Sequence, residues 1–295
     1  MIRFASLLAL ATFSTAAAAG VGGEIAYSVG RDVFLVNPDG SGKRLIYRGA
    51  TRASIFSISM KQDGGEMSFE EADAKGQSAR LITISYGSTG SATVTRNVTG
   101  CRIGGMDTRA DGALLVVNTC DGVVKFAPPG SSNFEPVGVP RAAAKVTWMA
   151  DGSFLYASEA KIWQATMADP SGTAIATQNC VQILKSANAA SEALVGVGSA
   201  CIDGPRIYRL PVPTGSTSNV AAGPDAAYSQ DDQCFIFVAP PGRKGAYLLM
   251  ARLSGGQSVQ FGNLAAYNSV DWRGDTAPTG CPLIANDALE FRVVK

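Results

Sequence analysis

The sequence predicts an all-β fold, a six-bladed β-propeller of four-stranded antiparallel blades that is closed by a C-terminal strand joining the N-terminal blade. Short apolar strands alternate along the whole chain with turns rich in Gly, Asp, Asn and Pro, which is the pattern of antiparallel hairpins. The turn aspartates Asp63, Asp111, Asp151, Asp231 and Asp275 are spaced by 48, 40, 80 and 44 residues, and the interval of 80 spans two repeats. Four short strands per repeat at this period are typical of propeller blades.

The first unit, residues 22–49, contains three predicted strands with the sequences EIAYS, DVFLV and KRLIY. Tight turns around Gly30 and at residues 39–42 join them, and these residues tolerate the backbone angles that hairpins demand. Three strands of this length cannot bury their own faces. The unit therefore needs a further strand and neighbouring sheets.

The later copies repeat the same order with a fourth strand in front. The predicted strands are 54–60, 66–70, 80–85 and 92–95; 103–108, 113–118, 122–126 and 135–139; 145–149, 153–157, 161–164 and 173–177; 181–185, 193–197, 206–210 and 218–221; and 226–229, 234–238, 246–253 and 258–261. A last strand, 267–272, has no partners of its own. It supplies the inner strand that the first unit lacks, so the sequence predicts ring closure there.

The N-terminal residues have the layout of a signal peptide, which we expect to span residues 1–19, followed by one domain at 20–295. Arg3 precedes an apolar run and then small residues that include four consecutive alanines. The apolar run is too short for a membrane anchor, so we expect a periplasmic or secreted protein without membrane insertion.

Beyond Arg3 the chain carries 24 basic and 24 acidic side chains, with no basic stripe. This balance argues against nucleic acid as a partner. We expect a monomer.

Six cysteines in an exported chain indicate disulfide bonds. Cys101 and Cys120 flank the first hairpin of one repeat, and Cys180 and Cys201 flank the equivalent hairpin two repeats later. Such positions are neighbours in an antiparallel pair, so each pair is expected to form a bond. Cys234 and Cys281 remain as the third pair, and free buried thiols are the alternative.

The repeats resemble those of the TolB-type β-propeller family. The matching residues are Ile25-Ala26-Tyr27, the run from Val33 to Gly42, the Asp-Gly pairs at 63, 111 and 151, Ile162-Trp163 and Ile207-Tyr208-Arg209-Leu210. The resemblance covers nearly the whole chain after residue 20 and implies the blade type. Members of the Tol system carry an α/β domain before the propeller, whereas here the first blade follows the predicted signal peptide directly.

Catalytic chemistry has few candidates in this sequence. The chain contains no His, which removes the commonest general base and metal ligand. Carboxylates are the remaining candidates, and we expect solvated or turn-forming roles for them at Glu66, Glu70, Glu71, Asp231 and Asp232. The sequence thus predicts no enzyme, no cofactor and no metal site.

Two further groups of residues have structural explanations. The turn aspartates are expected to hydrogen-bond their own backbone. Trp148 and Trp272 stand at matching inner-strand positions, so we expect them to pack between blades.

One face of the ring is the expected binding surface. Loops between the second and third strands, and between one blade and the next, meet on that face and carry six basic residues: Arg31, Arg52, Lys75, Arg141, Arg243 and Lys244. We interpret this face as the site for a protein or peptide partner, with solvated surface charge as the alternative explanation of the residues. The competing function is a carboxylate-dependent hydrolase or lyase acting on a glycan or peptide in the central channel.

Overall fold

The computed structural model of the chain describes residues 24–37, 41–61, 64–76, 78–87, 92–186, 192–198, 201, 204–212, 217–229, 235–239, 248–252, 258–260, 267–273 and 293–294. Within these ranges the protein is an all-β propeller built from antiparallel sheets of four strands, one of which gains a fifth strand. The described residues contain no helix that is long and apolar enough to cross a membrane.

Twenty-five strands are described, and they form six sheets. Sheet 1 has the order β24 (Tyr267–Arg273), β1 (Glu24–Val29), β2 (Asp32–Val36) and β3 (Arg44–Arg48). Sheet 2 contains β4 (Ser54–Met60), β5 (Glu66–Ala72), β6 (Ala79–Tyr86) and β7 (Ala92–Gly100). Sheet 3 contains β8 (Ile103–Thr108), β9 (Leu114–Asn118), β10 (Val124–Ala127) and β11 (Glu135–Pro136).

The remaining sheets follow the same meander. Sheet 4 contains β12 (Lys145–Trp148), β13 (Phe154–Ser158), β14 (Lys161–Ala165) and β15 (Thr173–Thr177). Sheet 5 contains β16 (Val181–Ser186), β17 (Glu192–Val197), β18 (Arg206–Pro211) and β19 (Ser218–Ala222). Sheet 6 contains β20 (Asp225–Tyr228), β21 (Phe235–Ala239), β22 (Leu248–Arg252) and β23 (Ser258–Gln260), with β25 (Val293–Val294) at its edge.

The fifth strand of sheet 6 corrects the expectation of four strands in every blade. Strand β25 pairs antiparallel with β23, so that Val259 lies opposite Val293. A free edge strand exposes a row of unpaired backbone groups, and an added strand satisfies part of that row. The segment that supplies it is too short and too close to the C-terminus for the repeat pattern to reveal it.

Strand β24 is the inner strand of the first sheet, as the incomplete N-terminal unit predicts. It pairs antiparallel with β1, and Trp272 lies opposite Ile25. The side chain of Trp272 is 2% exposed and packs with Tyr27 and Val270, and with Val238 of sheet 6. Strands β1 and β24 are therefore joined by backbone hydrogen bonds, and one face of their sheet is apolar and buried.

The Asp-Gly turns have the role that the sequence predicts where the structure describes them. Asp111 accepts a hydrogen bond of 3.0 Å from the backbone N–H of Ala113, and Asp151 accepts one of 2.9 Å from that of Ser153. Gly112 and Gly152 follow with φ values of 87° and 83°, which glycine adopts at little cost. Asp63, Asp231 and Asp275 lie outside the described residues.

Apolar clusters lie between successive sheets. Trp148 is 3% exposed and contacts Phe126 of sheet 3 and Phe154 of its own sheet edge to face, with ring centroids 6.3 and 6.1 Å apart. Together with the burial of Trp272, this confirms that both tryptophans are packing residues. Sheet-on-sheet burial of this kind is what three or four short strands need for stability.

Buried polar side chains link the inner strands of neighbouring sheets. The backbone N–H of Val270 donates to Asp225 (2.9 Å), and that of Met60 donates to Asp271 (2.7 Å). Thr108 donates likewise to Ser59 Oγ (2.8 Å), and Trp148 donates to Asp107 (2.9 Å). These bonds run from sheet 6 through sheets 1, 2 and 3 to sheet 4. They hold the inner strands around a central channel.

Two disulfide bonds staple the first hairpins of sheets 3 and 5. Cys101 is bonded to Cys120 and Cys180 to Cys201, and the Cα atoms of each pair are 6.1 Å apart. Both pairings agree with the repeat register. Cys234 and Cys281 lie outside the described residues.

Candidate functional site

The inner strands of the six sheets line the central channel, and four of them carry a bulge near their N-terminal ends. The pairing register skips Ser57 together with Ile58 in β4, and it skips Gly104 in β8, Gln182 in β16 and Asn268 in β24. A bulged residue leaves the ladder of its strand and its side chain or backbone is aimed differently. Ser57 has a φ of 52°, a conformation that non-glycine residues seldom adopt. The bulges of the four strands lie at the same mouth of the channel.

A cavity of about 440 Å³ occupies this mouth. Each of the four bulges contributes a residue to its lining, namely Ser57, Gly104, Gln182 and Asn268. It belongs to the face where the sheets are joined to one another, because the N-terminal ends of the inner strands lie there. The charged groups of its wall are Glu70, Arg102, Lys145, Lys185 and Asp225. The cavity is polar and has the size of a small-ligand or side-chain pocket.

Glu70 is fully buried in the wall of the cavity. Its carboxylate accepts hydrogen bonds from the guanidinium of Arg102 and from the backbone N–H of Ile103, the latter at 3.1 Å. The guanidinium of Arg102 also lies over the ring of Phe56, 5.0 Å from its centroid. The charge of Glu70 is therefore matched within the protein.

The burial of Glu70 and Glu71 corrects the expectation that these carboxylates are solvated. Both lie inside strand β5, which extends to Ala72, and are 0% and 4% exposed. Glu71 forms an ion pair with Arg80 and accepts a hydrogen bond of 2.6 Å from Tyr47 Oη. Burial opposes ionisation of Glu71, but these hydrogen bonds outweigh it and lower its pKa. Asp231 and Asp232 lie outside the described residues.

Asp225 begins strand β20, lines the cavity and is 8% exposed. Its carboxylate accepts hydrogen bonds from Ser269 Oγ at 2.7 Å and from the backbone N–H groups of Val270 and Ala226 at 2.9 and 3.0 Å. Burial raises the pKa of this carboxyl group, against the opposing effect of Lys185 and of these hydrogen bonds.

Lys145 begins strand β12 and reaches the neighbouring inner strand. Its ammonium group donates a hydrogen bond to the carbonyl oxygen of Gly104. No carboxylate in the described ranges forms an ion pair with it. Burial lowers the pKa of this ammonium group, while the charges of Asp225 and Glu70 act in the opposite direction. A Cβ on Gly104 would lie 2.6 Å from the carbonyl oxygen of Ala144, so glycine permits this close approach of strands.

Lys185, on strand β16, closes the deeper end of the cavity. Its side chain is 9% exposed, and its Nζ donates a hydrogen bond of 2.7 Å to the carbonyl oxygen of Ile58 in β4. The same nitrogen lies 3.8 Å from Asp271 Oδ1. Since each inner strand packs on the next in the order β24, β4, β8, β12, β16, β20 and again β24, β4 and β16 lie across the channel from each other. The lysine thus forms a floor under the mouth.

None of the four predicted basic residues that the structure describes, Arg31, Arg52, Lys75 and Arg141, lines the cavity. Arg31 and the loop before β4 are adjacent, because the backbone N–H of Gly49 donates to the carbonyl of Arg31 at 2.8 Å. Arg52 and Lys75 are exposed in their turns. Arg141 is 27% exposed, and its guanidinium stacks 3.7 Å from the ring centroid of Trp163. Arg243 and Lys244 lie outside the described residues.

Sequence reasoning missed Lys145, Lys185 and Asp225. A usable indication was present, because Lys145 and Asp225 each open the inner strand of a repeat, where most inner-strand neighbours are apolar. Whether such a residue enters the channel depends on the bulges, and these have no sequence pattern of their own.

Among the described residues, no group of three or more His, Cys, Asp and Glu side chains could hold a metal ion. The chemistry available at the mouth is that of ammonium, guanidinium, carboxyl and amide groups.

No family model matches this chain, and no curated protein matches its sequence significantly. Similarity to solved structures is clear. TolB from Acinetobacter baumannii matches with a TM-score of 0.69 at 12% identity, over 85% of this chain and 67% of that one. A chain of a nidogen/laminin complex matches with a TM-score of 0.59 at 10% identity, over 86% and 100%. An oligogalacturonate lyase in complex with manganese gives 0.52 at 15% identity, over 79% and 76%.

These likenesses establish the fold. The expected resemblance to TolB-type propellers is confirmed at this level, with the blade type as the shared feature. At such identities the neighbours' functions do not carry over by similarity, since one propeller fold serves many functions.

Proposed function

We propose that this protein is an exported, non-catalytic propeller that binds a protein or peptide partner in the bacterial envelope through the face bearing the channel mouth. The observation that carries the proposal is the set of four bulges at one level of the ring, which open a cavity of about 440 Å³ on that face. Exposed basic side chains at Arg52 and Lys75 extend the binding surface outward. Concave sites with a few convergent polar groups are typical of ligand binding.

We infer that the six sheets are the six blades of one closed ring. The cyclic packing of the inner strands and the pairing of β24 with β1 support this count. The proposed organisation is a signal peptide at 1–19 and a single propeller domain at 20–295. The two disulfide bonds fit an oxidising compartment, and we propose a periplasmic or secreted monomer that has neither nucleic-acid partner nor membrane insertion.

The structural neighbours are compatible with partner binding. TolB and a chain of a nidogen/laminin complex share the fold, and the second of these comes from a complex of proteins. In this chain the cavity at the channel mouth is the proposed place where such a partner binds.

Affinity capture from envelope extract tests the proposal. We expect the wild-type chain to retain a discrete partner that the double variant Arg52→Glu, Lys75→Glu loses. The matched control is Lys43→Glu, an exposed lysine in the turn between β2 and β3 at the opposite face, which should retain the partner. Equal capture by all three proteins would contradict the choice of face.

The second candidate is a carboxylate-dependent hydrolase or lyase acting on a glycan or peptide in the channel. Its specific support is that Glu70 and Asp225 both border the cavity, and that burial raises the pKa of Asp225 as a general acid requires. The lyase neighbour makes oligogalacturonate one reasonable probe beside peptide panels. Turnover by the wild type that Asp225→Asn abolishes would favour this function over binding alone.

A further inference from the structure

We propose that the channel mouth recognises a carboxylate group of a peptide ligand, held by the ammonium group of Lys145. This inference rests on the proposed function and specifies its chemistry. The ligand group is the side chain of an Asp or Glu, or a C-terminal carboxylate. Either source presents the same anion to the cavity.

The cavity wall carries two carboxylates and three cationic side chains. Glu70 is matched by Arg102 and also accepts from the backbone of Ile103. Asp225 accepts three hydrogen bonds from its own sheet and the next. Both carboxylates of the wall are therefore already engaged by donors of the protein.

The ammonium group of Lys145 differs from the other cations of the wall. Arg102 has Glu70 as its ion-pair partner, and Lys185 has Asp271 at 3.8 Å. The one hydrogen bond described for Lys145 goes to the neutral carbonyl of Gly104. An ammonium group has three donors, so two remain for a ligand in the cavity that Lys145 lines.

Lys145 is partly buried and forms no ion pair with a carboxylate of the described residues. A charge in such a place is costly, and burial lowers the pKa of this ammonium group in agreement with that cost. An incoming carboxylate offsets it by forming a charge-assisted hydrogen bond in a site shielded from solvent. The ligand anion thus gains more at Lys145 than at an exposed lysine.

The size and polarity of the cavity match a short peptide segment. A volume of about 440 Å³ admits one or two amino-acid residues, and Lys185 closes its floor. The amide side chains of Gln182 and Asn268 line the same wall and offer hydrogen bonds to a peptide backbone. The cavity suits the end of a peptide or one protruding side chain. A peptide strand passing through the whole ring would collide with Lys185.

The test uses peptides selected on the full mature chain from a random octapeptide library with free C-termini. Each selected peptide is compared by calorimetry with a Glu→Gln or Asp→Asn version and with a C-terminal amide version. We expect at least one of these neutral versions to bind roughly 10-fold more weakly or worse, as for the loss of a hydrogen bond to a charged group. The version that loses affinity identifies the source of the carboxylate.

Variants of Lys145 locate the effect. Lys145→Met keeps the length of the side chain and should bind acid and neutral peptides equally, at the affinity of the neutral version for the wild type. Lys145→Arg should restore most of the discrimination, and Lys43→Met, at an exposed turn on the opposite face, should not alter it. Tryptophan fluorescence and urea unfolding establish that each variant is folded.

The outcomes separate the two proposals. Selected peptides whose acid and neutral versions bind equally overturn the carboxylate inference and leave partner binding intact. Discrimination that survives in a folded Lys145→Met protein also overturns it. Failure to select any peptide, together with failure of the envelope capture, contradicts the proposed function itself.

Discussion

The ammonium group of Lys185 donates a hydrogen bond of 2.7 Å to the carbonyl oxygen of Ile58, across the channel and 127 residues earlier in the chain. The same nitrogen lies 3.8 Å from Asp271. One side chain thereby connects three inner strands. It also spans the channel from β16 to β4.

Replacement of Lys185 by Met should lower the free energy of unfolding by about 3 kcal/mol, because it leaves the carboxylate of Asp271 buried without this counterion. Urea unfolding followed by tryptophan fluorescence measures the change. The double variant Lys185→Met, Asp271→Asn should recover part of the loss. A cost for the single variant no larger than that of Lys75→Met would refute the role of Lys185 as a buried tie.

Asp107 and Asp111 provide a matched pair of substitutions. Asp107 accepts hydrogen bonds from the backbone of Trp148 (2.9 Å) and from Thr147 Oγ1 (2.7 Å) on the next sheet. Its replacement by Ala leaves buried donors unsatisfied and should destabilise the protein by about 3 kcal/mol. The same change at the turn residue Asp111, which is half exposed, should cost about 1 kcal/mol or less. Chemical denaturation compares them directly, and equal costs would argue against links between blades.

Ring closure predicts a polarised response to truncation. A chain ended at residue 262 lacks β24, whose partner in sheet 1 is β1. Hydrogen exchange measured by mass spectrometry should show β1, β2 and β3 losing protection first, since their inner edge and the Trp272 face are both removed. Sheets 3 and 4 should lose protection later. Uniform loss across all sheets would indicate that the first sheet is not a separate weak point.

The disulfide scheme predicts a peptide map. Non-reducing digestion should link Cys101 to Cys120 and Cys180 to Cys201, as the structure shows, and Cys234 to Cys281. Removing the first bond by the double Cys→Ala change should destabilise the chain by about 3 kcal/mol, as expected for a loop of this length. Any cross-link between the first two pairs would invalidate the register of the repeats.

The Tyr47 and Glu71 pair predicts a dependence of stability on pH. Burial, together with the hydrogen bond to Glu71, raises the pKa of Tyr47 from 10.0 to about 12. The stabilisation is therefore complete below pH 10 and declines as the pH rises to about 12. The pKa of Glu71 is lowered, so its contribution is present above the ordinary Glu value and declines as the pH falls through the lower folded value.

Comparison with Tyr47→Phe isolates this pair. The variant should be less stable by about 1 to 2 kcal/mol at neutral pH, as for a hydrogen bond to a charged acceptor. The difference from the wild type should shrink above pH 10 and below pH 4, because those ranges remove the stabilising protonation states. A difference that stays constant from pH 7 to 12 would show that the hydrogen bond does not govern it.

The sequence alone determined the repeat architecture, because each short strand and each turn is encoded within a few residues. The alternation of apolar residues predicted the strands, and the Asp-Gly pairs predicted the turns. The missing inner strand of the first unit predicted residues 267–272 as its partner, and the structure has that strand at Tyr267–Arg273. The same register placed Cys101 beside Cys120. Packing roles for Trp148 and Trp272 also followed from repeat position.

The tertiary structure alone decided which charged residues meet in the channel. Lys185 and Ile58 are far apart in the chain, and their contact requires the ring to close. Glu70 has the local pattern of a solvated edge residue, yet its strand is covered by the next sheet and its charge is taken by Arg102. The bulges at Ser57 and Gln182 lie at the mouth of the channel, and the sequence around them shows no common pattern that predicts them. Local patterns specify blades, whereas the site arises from the convergence of six inner strands on one axis.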